Sequence, residues 1–193
     1  GIPPGVVNVV TGHGAAGAAL SVHPDVNKIT FTGSCGTGQK IIAAAAGTVK
    51  RVTMELGGKS PNIIFADADL DLAVPAAAMA IFNNSGQVCS AGSRIYVERA
   101  IHDEFLVRLA EAGRALRIGH TLDPETQIGP IVSRGQFDRV CSYLSLGARE
   151  GAQVALGGES LTDQGYADGF YVPPSIFGQV NDAMRIAREE IFG

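Results

Sequence analysis

Two residues stand in settings where their side chains could do chemistry. Cys89 lies in the run Ser85-Gly86-Gln87-Val88-Cys89-Ser90-Ala91-Gly92. A structural cysteine is normally surrounded by hydrophobes, so a thiol among Gly, Ser and Gln belongs to a polar, irregular segment. Such a thiol is either a nucleophile, given access and neighbours that favour the thiolate, or an unreactive loop thiol. Glu55 ends the stretch Val52-Thr53-Met54, with Leu56 between it and Gly57-Gly58. A carboxylate at the carboxyl end of a parallel strand sits where α/β sheets bind ligands. Partial desolvation there would suit it to general-base work. Taken alone, Glu55 reads slightly better as a solvated strand end.

Gly33-Ser34-Cys35-Gly36-Thr37-Gly38 follows one strand pattern and opens a helix pattern. Glycine allows close backbone approach to a ligand, and a helix N-terminus attracts phosphate. The run is not GxGxxG, so it is equally an ordinary tight connection. Glu190, before Ile191-Phe192-Gly193, reads by itself as a charged helix end. His13, His23, His102 and His120 show no metal-ligand spacing and no Ser/His/Asp arrangement. Cys141 falls inside an amphipathic helix pattern and is assigned to core packing, and Arg108, Arg114 and Arg117 to a solvated helix face.

The elements that must carry these residues follow from periodicity. Strands are predicted over 6–10, 28–32, 51–56, 62–66, 94–98 and 153–156, with 171–177 extended. Helices are predicted over 15–22, 39–46, 69–82, 101–115, 133–147 and 184–190. Residues 33–38 are a glycine turn, 83–91 irregular, and 119–132 a loop. Strand, glycine turn, helix, strand is the pattern of a parallel sheet with crossover helices. No internal repeat or low-complexity run is present, and Gly57-Gly58 is the best domain boundary.

The 193 residues are 46% hydrophobic with a net charge of −4, which fits a globular α/β protein and disfavours a nucleic-acid partner. Three widely spaced cysteines give neither a disulfide framework nor a zinc site, and a reducing, cytoplasmic compartment is expected. No signal peptide or membrane span is predicted. The opening at Gly1-Ile2 and the stop at Ile191-Phe192-Gly193 suggest a segment of a longer chain.

Taken in order, PPGVVNVVTG, KITFTGSCGTG, VTMELGGKSPNIIF, FNNSGQVCSAGSR, IGP and EEIFG give the whole chain a resemblance to the aldehyde dehydrogenase superfamily. The runs MELGGKSP around Glu55 and GQVCSAGSR around Cys89 are the specific ones, and their 34-residue separation is the one that the family pattern requires. The resemblance implies an α/β fold: part of a Rossmann-like cofactor domain, residues 1–57, followed by most of an α/β catalytic domain, residues 58–193, incomplete at its C-terminus. It implies that Cys89 is the nucleophile and Glu55 the base that activates water. It further implies that Gly33, Ser34, Gly38, Leu56, Glu190 and Phe192 bind NAD or NADP. In the family, the counterpart of Ser34 lies near the pyrophosphate and ribose, that of Glu190 bonds the nicotinamide ribose, and that of Phe192 packs near the nicotinamide. Cys35 departs from the usual small residue or Thr, a substitution expected to be neutral.

Members that pass the acyl group to coenzyme A typically lack the glutamate matched by Glu55, so the resemblance favours release of a free carboxylic acid. A catalytically silent scaffold is the competing reading, and intact Cys89, Glu55 and Glu190 speak against it. The expected partners are a small-molecule aldehyde and further copies in a homodimer or homotetramer, with no membrane. Because the match covers under half of a family member, the isolated 193-residue chain is expected to be inactive.

Overall fold

The structure is a computed structural model that describes residues 1–163 and 165–193. The chain divides into two compact units, Gly1–Gly57 and Gly58–Gly193. The first contains α1 (Gly14–Val22), β1 (Lys28–Gly33), α2 (Cys35–Ala46) and β2 (Arg51–Leu56). β1 and β2 pair in parallel, from Lys28 opposite Arg51 to Gly33 opposite Leu56, and α2 is the crossover that a parallel pair demands.

Helix α2 begins at Cys35 rather than at Gln39. The cause is Ser34, whose extended backbone and hydroxyl, accepting the Thr37 N–H at 3.3 Å, cap the helix and draw the glycine run into its first turn. Gly38 lets α2 approach β2 closely, since a Cβ there would lie 2.9 Å from Leu56 Cδ2. Buried Lys50 crosses the unit to donate to the Thr48 hydroxyl at 2.8 Å and to the His23 carbonyl.

The strand expected over residues 6–10 is not formed. That run is irregular, with Val6, Val7, Val9 and Val10 exposed. β-Branched residues suit a pleated surface, but a strand exists only through its ladder. Among the described residues this run pairs with no other strand.

The second unit opens with β3 (Pro61–Ile64), α3 (Leu70–Phe82) and β4 (Arg94–Val97), a second parallel pair with Pro61 opposite Arg94. Asp69 caps α3, its carboxylate accepting the Asp71 N–H at 2.9 Å. Val74, Ala77, Ala78 and Phe82 on α3 form a core with Ile64, Ile128 and with Phe105 and Leu109 of α4 (His102–Arg114). Arg108 is not simply solvated, because it ion-pairs with Asp71 and Glu104. Beyond α4, Arg117 pairs with Asp123 and Glu125.

Helix α5 (Arg134–Arg149), capped by Ser133, precedes β5 (Gln153–Leu156), which pairs antiparallel with β6 (Ile176–Gly178). The extended run over 171–177 contributes to the ladder only from Ile176, because Pro173 and Pro174 have no N–H to donate. The helix expected over 184–190 is the single turn α6 (Arg185–Arg188). The Glu150 carboxylate fixes its start by accepting the Arg185 and Ile186 N–H groups. Glu189 then turns extended, at φ −100° and ψ 143°, so Glu190 is not a helix end. Among the described residues, no helix is long and apolar enough to cross a membrane.

Candidate active site

In the first unit the predicted residues gather at the carboxyl end of the β1–β2 pair. Thr32 stands opposite Glu55, and Gly33 opposite Leu56. Ser34 and the N-terminus of α2 follow at the same edge. The amides of the first helical turn have no carbonyl partner within the helix. At Gly36 a Cβ would meet open space, so the first turn is accessible. A capped twelve-residue helix with a small, open first turn fits an anionic group such as a pyrophosphate. Leu56 is half-buried with its side chain against Gly38. Cys35 is the first helical residue, and its thiol donates to the Gly57 carbonyl at 3.7 Å, tying the start of α2 to the end of β2. Glu55 is exposed, so the desolvation expected for it from sequence is absent. A side chain near the end of a two-stranded ladder has few neighbours to bury it.

In the second unit, Cys89 is exposed on a turn between α3 and β4. The chain enters this turn through three successive left-handed residues: Asn84 at φ 53°, Ser85 at 54° and Gly86 at 73°. This conformation suits Gly, is tolerated by Asn, and is costly for Ser. It is held by a set of polar contacts. The Ser85 hydroxyl donates to the Gly129 carbonyl at 2.8 Å, and the Gln87 side-chain oxygen accepts the Val132 N–H at 3.0 Å. The Asn84 amide donates to the Gln87 carbonyl at 3.0 Å. After Cys89, the Ala91 N–H bonds Val88 and the Gly92 N–H bonds Ala80. Among the described residues, the Cys89 N–H itself donates to no backbone carbonyl.

A cavity of about 260 Å³ connects this turn with the end of the chain, since Val88, Glu190 and Phe192 all line it. Two cations that sequence reasoning does not single out, Lys59 and Arg94, line it as well. Burial, with the Arg94 guanidinium second, lowers the Lys59 pKa to about 8, and Glu190 opposes the shift. Arg94 stacks 5.4 Å from the centre of the Tyr96 ring and donates to the Ala187 carbonyl at 3.3 Å, while its buried Nε finds no partner among the described residues. Both cations lie inside runs already marked by motif, MELGGKSP and GQVCSAGSR, and a charged residue in an otherwise small-residue run is the signal that could have found them.

The model of the aldehyde dehydrogenase family matches residues 1–193. The chain belongs to the aldehyde dehydrogenase family. It is 49% identical over its full length to a betaine aldehyde dehydrogenase of Mesorhizobium japonicum, of which it covers 40%. All of it superposes on the crystal structure of HpcC from Thermus thermophilus with a TM-score of 0.96 at 44% identity, covering 38% of that chain. It likewise superposes on betaine aldehyde dehydrogenase from Staphylococcus aureus in complex with NAD+, with a TM-score of 0.97 at 39% identity, covering 38% of that chain. The chain therefore spans about 40% of the length of the aldehyde dehydrogenases it matches, and its α/β architecture is theirs.

Proposed function

We propose that the enzyme containing this chain oxidises an aldehyde to a carboxylic acid with NAD+ or NADP+, through a thioester on Cys89 that water hydrolyses with Glu55 as base. In this reading residues 1–57 belong to the cofactor domain and residues 58–193 to the catalytic domain. The observation that carries it is the Cys89 turn, an exposed thiol on a backbone pinned by Ser85, Gln87 and Asn84, with its own N–H uncommitted.

The Cys89 thiolate adds to the aldehyde carbon, and the carbonyl π electrons move onto oxygen to give a thiohemiacetal oxyanion. The uncommitted Cys89 N–H is placed to donate to that oxygen. The bound nicotinamide supplies the hydride acceptor, and Cys89 is left carrying the acyl group as a thioester. Glu55 takes a proton from water as its oxygen attacks the acyl carbon, the C–S bond breaks, and the carboxylic acid leaves with the thiolate restored. Ser34 and the first turn of α2, with Gly33, Gly38 and Leu56 shaping that edge, would hold the cofactor phosphates. Glu190 and Phe192 would hold its nicotinamide ribose and ring.

The relatives point to the first compounds to test, NAD+ and betaine aldehyde. The full-length chain containing these residues is assayed with a panel of aldehydes, with NAD+ and with NADP+, following reduced cofactor and free acid together. Equal yields of the two, abolished in Cys89→Ala, are expected. Product formed only when coenzyme A is added would assign the chain to acyl transfer instead, and no reaction with any aldehyde would contradict the proposal.

A further inference from the structure

The segment bearing Glu190 and Phe192 is held by side chains rather than by secondary structure. Its last backbone bond to α6 is the Glu189 N–H on the Arg185 carbonyl, at 2.9 Å. The next three carbonyls are taken by two residues of α5. Arg139 donates to the Glu190 carbonyl and, through Nε, to the Ile191 carbonyl at 3.3 Å. Gln136 Nε2 donates to the Ile191 and Phe192 carbonyls, each at 2.8 Å. One turn on, Tyr143 is buried, and its hydroxyl donates to Glu189 Oε2 at 2.5 Å. Its ring lies under the Arg139 guanidinium, 5.1 Å from ring centre to Cζ. Arg185 grips the same carboxylate with Nε at 2.9 Å and Nη2 at 3.0 Å. Residues 136, 139 and 143 share one face of α5, so a single helix stripe fixes the path of residues 189–192.

We propose that Tyr143 is a positioning residue for Glu190, acting through the Glu189 carboxylate and through the Arg139 guanidinium that its ring supports. The proposal rests on Glu190 contacting the cofactor. Tyr143 is not among the residues that line the cavity shared by Val88, Glu190 and Phe192. It braces the carboxylate beside Glu190 and orients the cation that holds the Glu190 carbonyl. Loss of its hydroxyl leaves Glu189 one donor short and frees the segment to move.

The test is NAD+ binding to the full-length chain, measured by titration calorimetry, with ADP as a ligand that lacks the nicotinamide ribose. Tyr143→Phe keeps the ring and removes only the hydroxyl. It is expected to weaken NAD+ roughly tenfold, the scale of one hydrogen bond to a charged group, while ADP changes less than about twofold. Combined with Glu190→Ala, the Tyr143→Phe loss should vanish, because the two act on one contact. Unchanged NAD+ affinity in Tyr143→Phe, an equal loss for ADP, or additive losses in the double variant would each overturn the proposal. If Glu190→Ala itself leaves NAD+ affinity unchanged, the cofactor assignment of Glu190 fails first. If it weakens NAD+ and Tyr143→Phe does not, only the positioning role fails.

Discussion

Cys89 and Lys59 show how much a residue's chemistry depends on the few groups around it. The thiol is exposed on the turn that follows the three left-handed residues Asn84, Ser85 and Gly86. Replacing Ser85 by Ala would remove the bond to the Gly129 carbonyl and loosen that turn. Thiol alkylation in Ser85→Ala should then lose its selectivity for Cys89 over half-buried Cys141, a difference that mass mapping of iodoacetamide adducts would read. Lys59 carries the opposite lesson, since burial and Arg94 disfavour its charge. Its folded pKa of about 8 lies below its ordinary 10.5, so the folded state releases the proton first. The destabilisation is complete below about pH 8 and is relieved as pH rises toward 10.5. Lys59→Met is therefore expected to raise Tm at pH 7, with the gain shrinking toward pH 10; a gain that grew with pH would contradict it. Glu189 has the reverse sign. Its bonds from Arg185 and Tyr143 hold its pKa near 2, below the ordinary 4.5. Its contribution is present above 4.5 and lost as pH falls toward 2, and Glu189→Gln should flatten the Tm profile over that window.

At the scale of elements, Ser34 does two things, ending β1 and capping α2. Ser34→Ala should cost about 1 kcal/mol, read from the denaturation midpoint. Ser34→Asp should keep the cap yet weaken NAD+ binding by placing a negative charge beside the proposed pyrophosphate site; equal NAD+ affinity in both variants would argue against that site. The two parallel strand–helix–strand units are legible in the sequence because each is closed by local signals. The KITFT and RVTMEL runs alternate with glycine turns, and Asp69 announces α3. Residues 35–38 look like a turn because glycine lowers helix propensity, and a single Ser34 hydroxyl overrides that tendency only once its geometry exists. Residues 6–10 look like a strand because strand propensity names no partner. The α5 stripe is invisible in the sequence for a different reason. Gln136, Arg139 and Tyr143 look like one polar face of an amphipathic helix, and only contacts more than forty residues away in sequence give them a task.

For the molecule as a whole, the assigned groups are divided between the two compact units, with Glu55 in residues 1–57 and Cys89, Glu190 and Phe192 in residues 58–193. The chain spans only about 40% of its relatives, so the isolated 193 residues are predicted to give no aldehyde-dependent cofactor reduction, even at high protein concentration. Steady turnover by them alone would refute this. The family resemblance picks the proposed nucleophile and base out of two short runs, and the cavity's cations sit in those same runs, whereas the burial of Lys59 and the bracing of Glu190 require the folded chain. The most direct test of the central assignment is rapid mixing of full-length Glu55→Gln enzyme with aldehyde and NAD+, followed by acid quench and intact-mass and peptide analysis. The prediction is one equivalent of reduced cofactor in a burst, an acyl group trapped on Cys89, and little further turnover. Wild-type steady-state turnover by Glu55→Gln, or an acyl adduct on any residue other than Cys89, would contradict it.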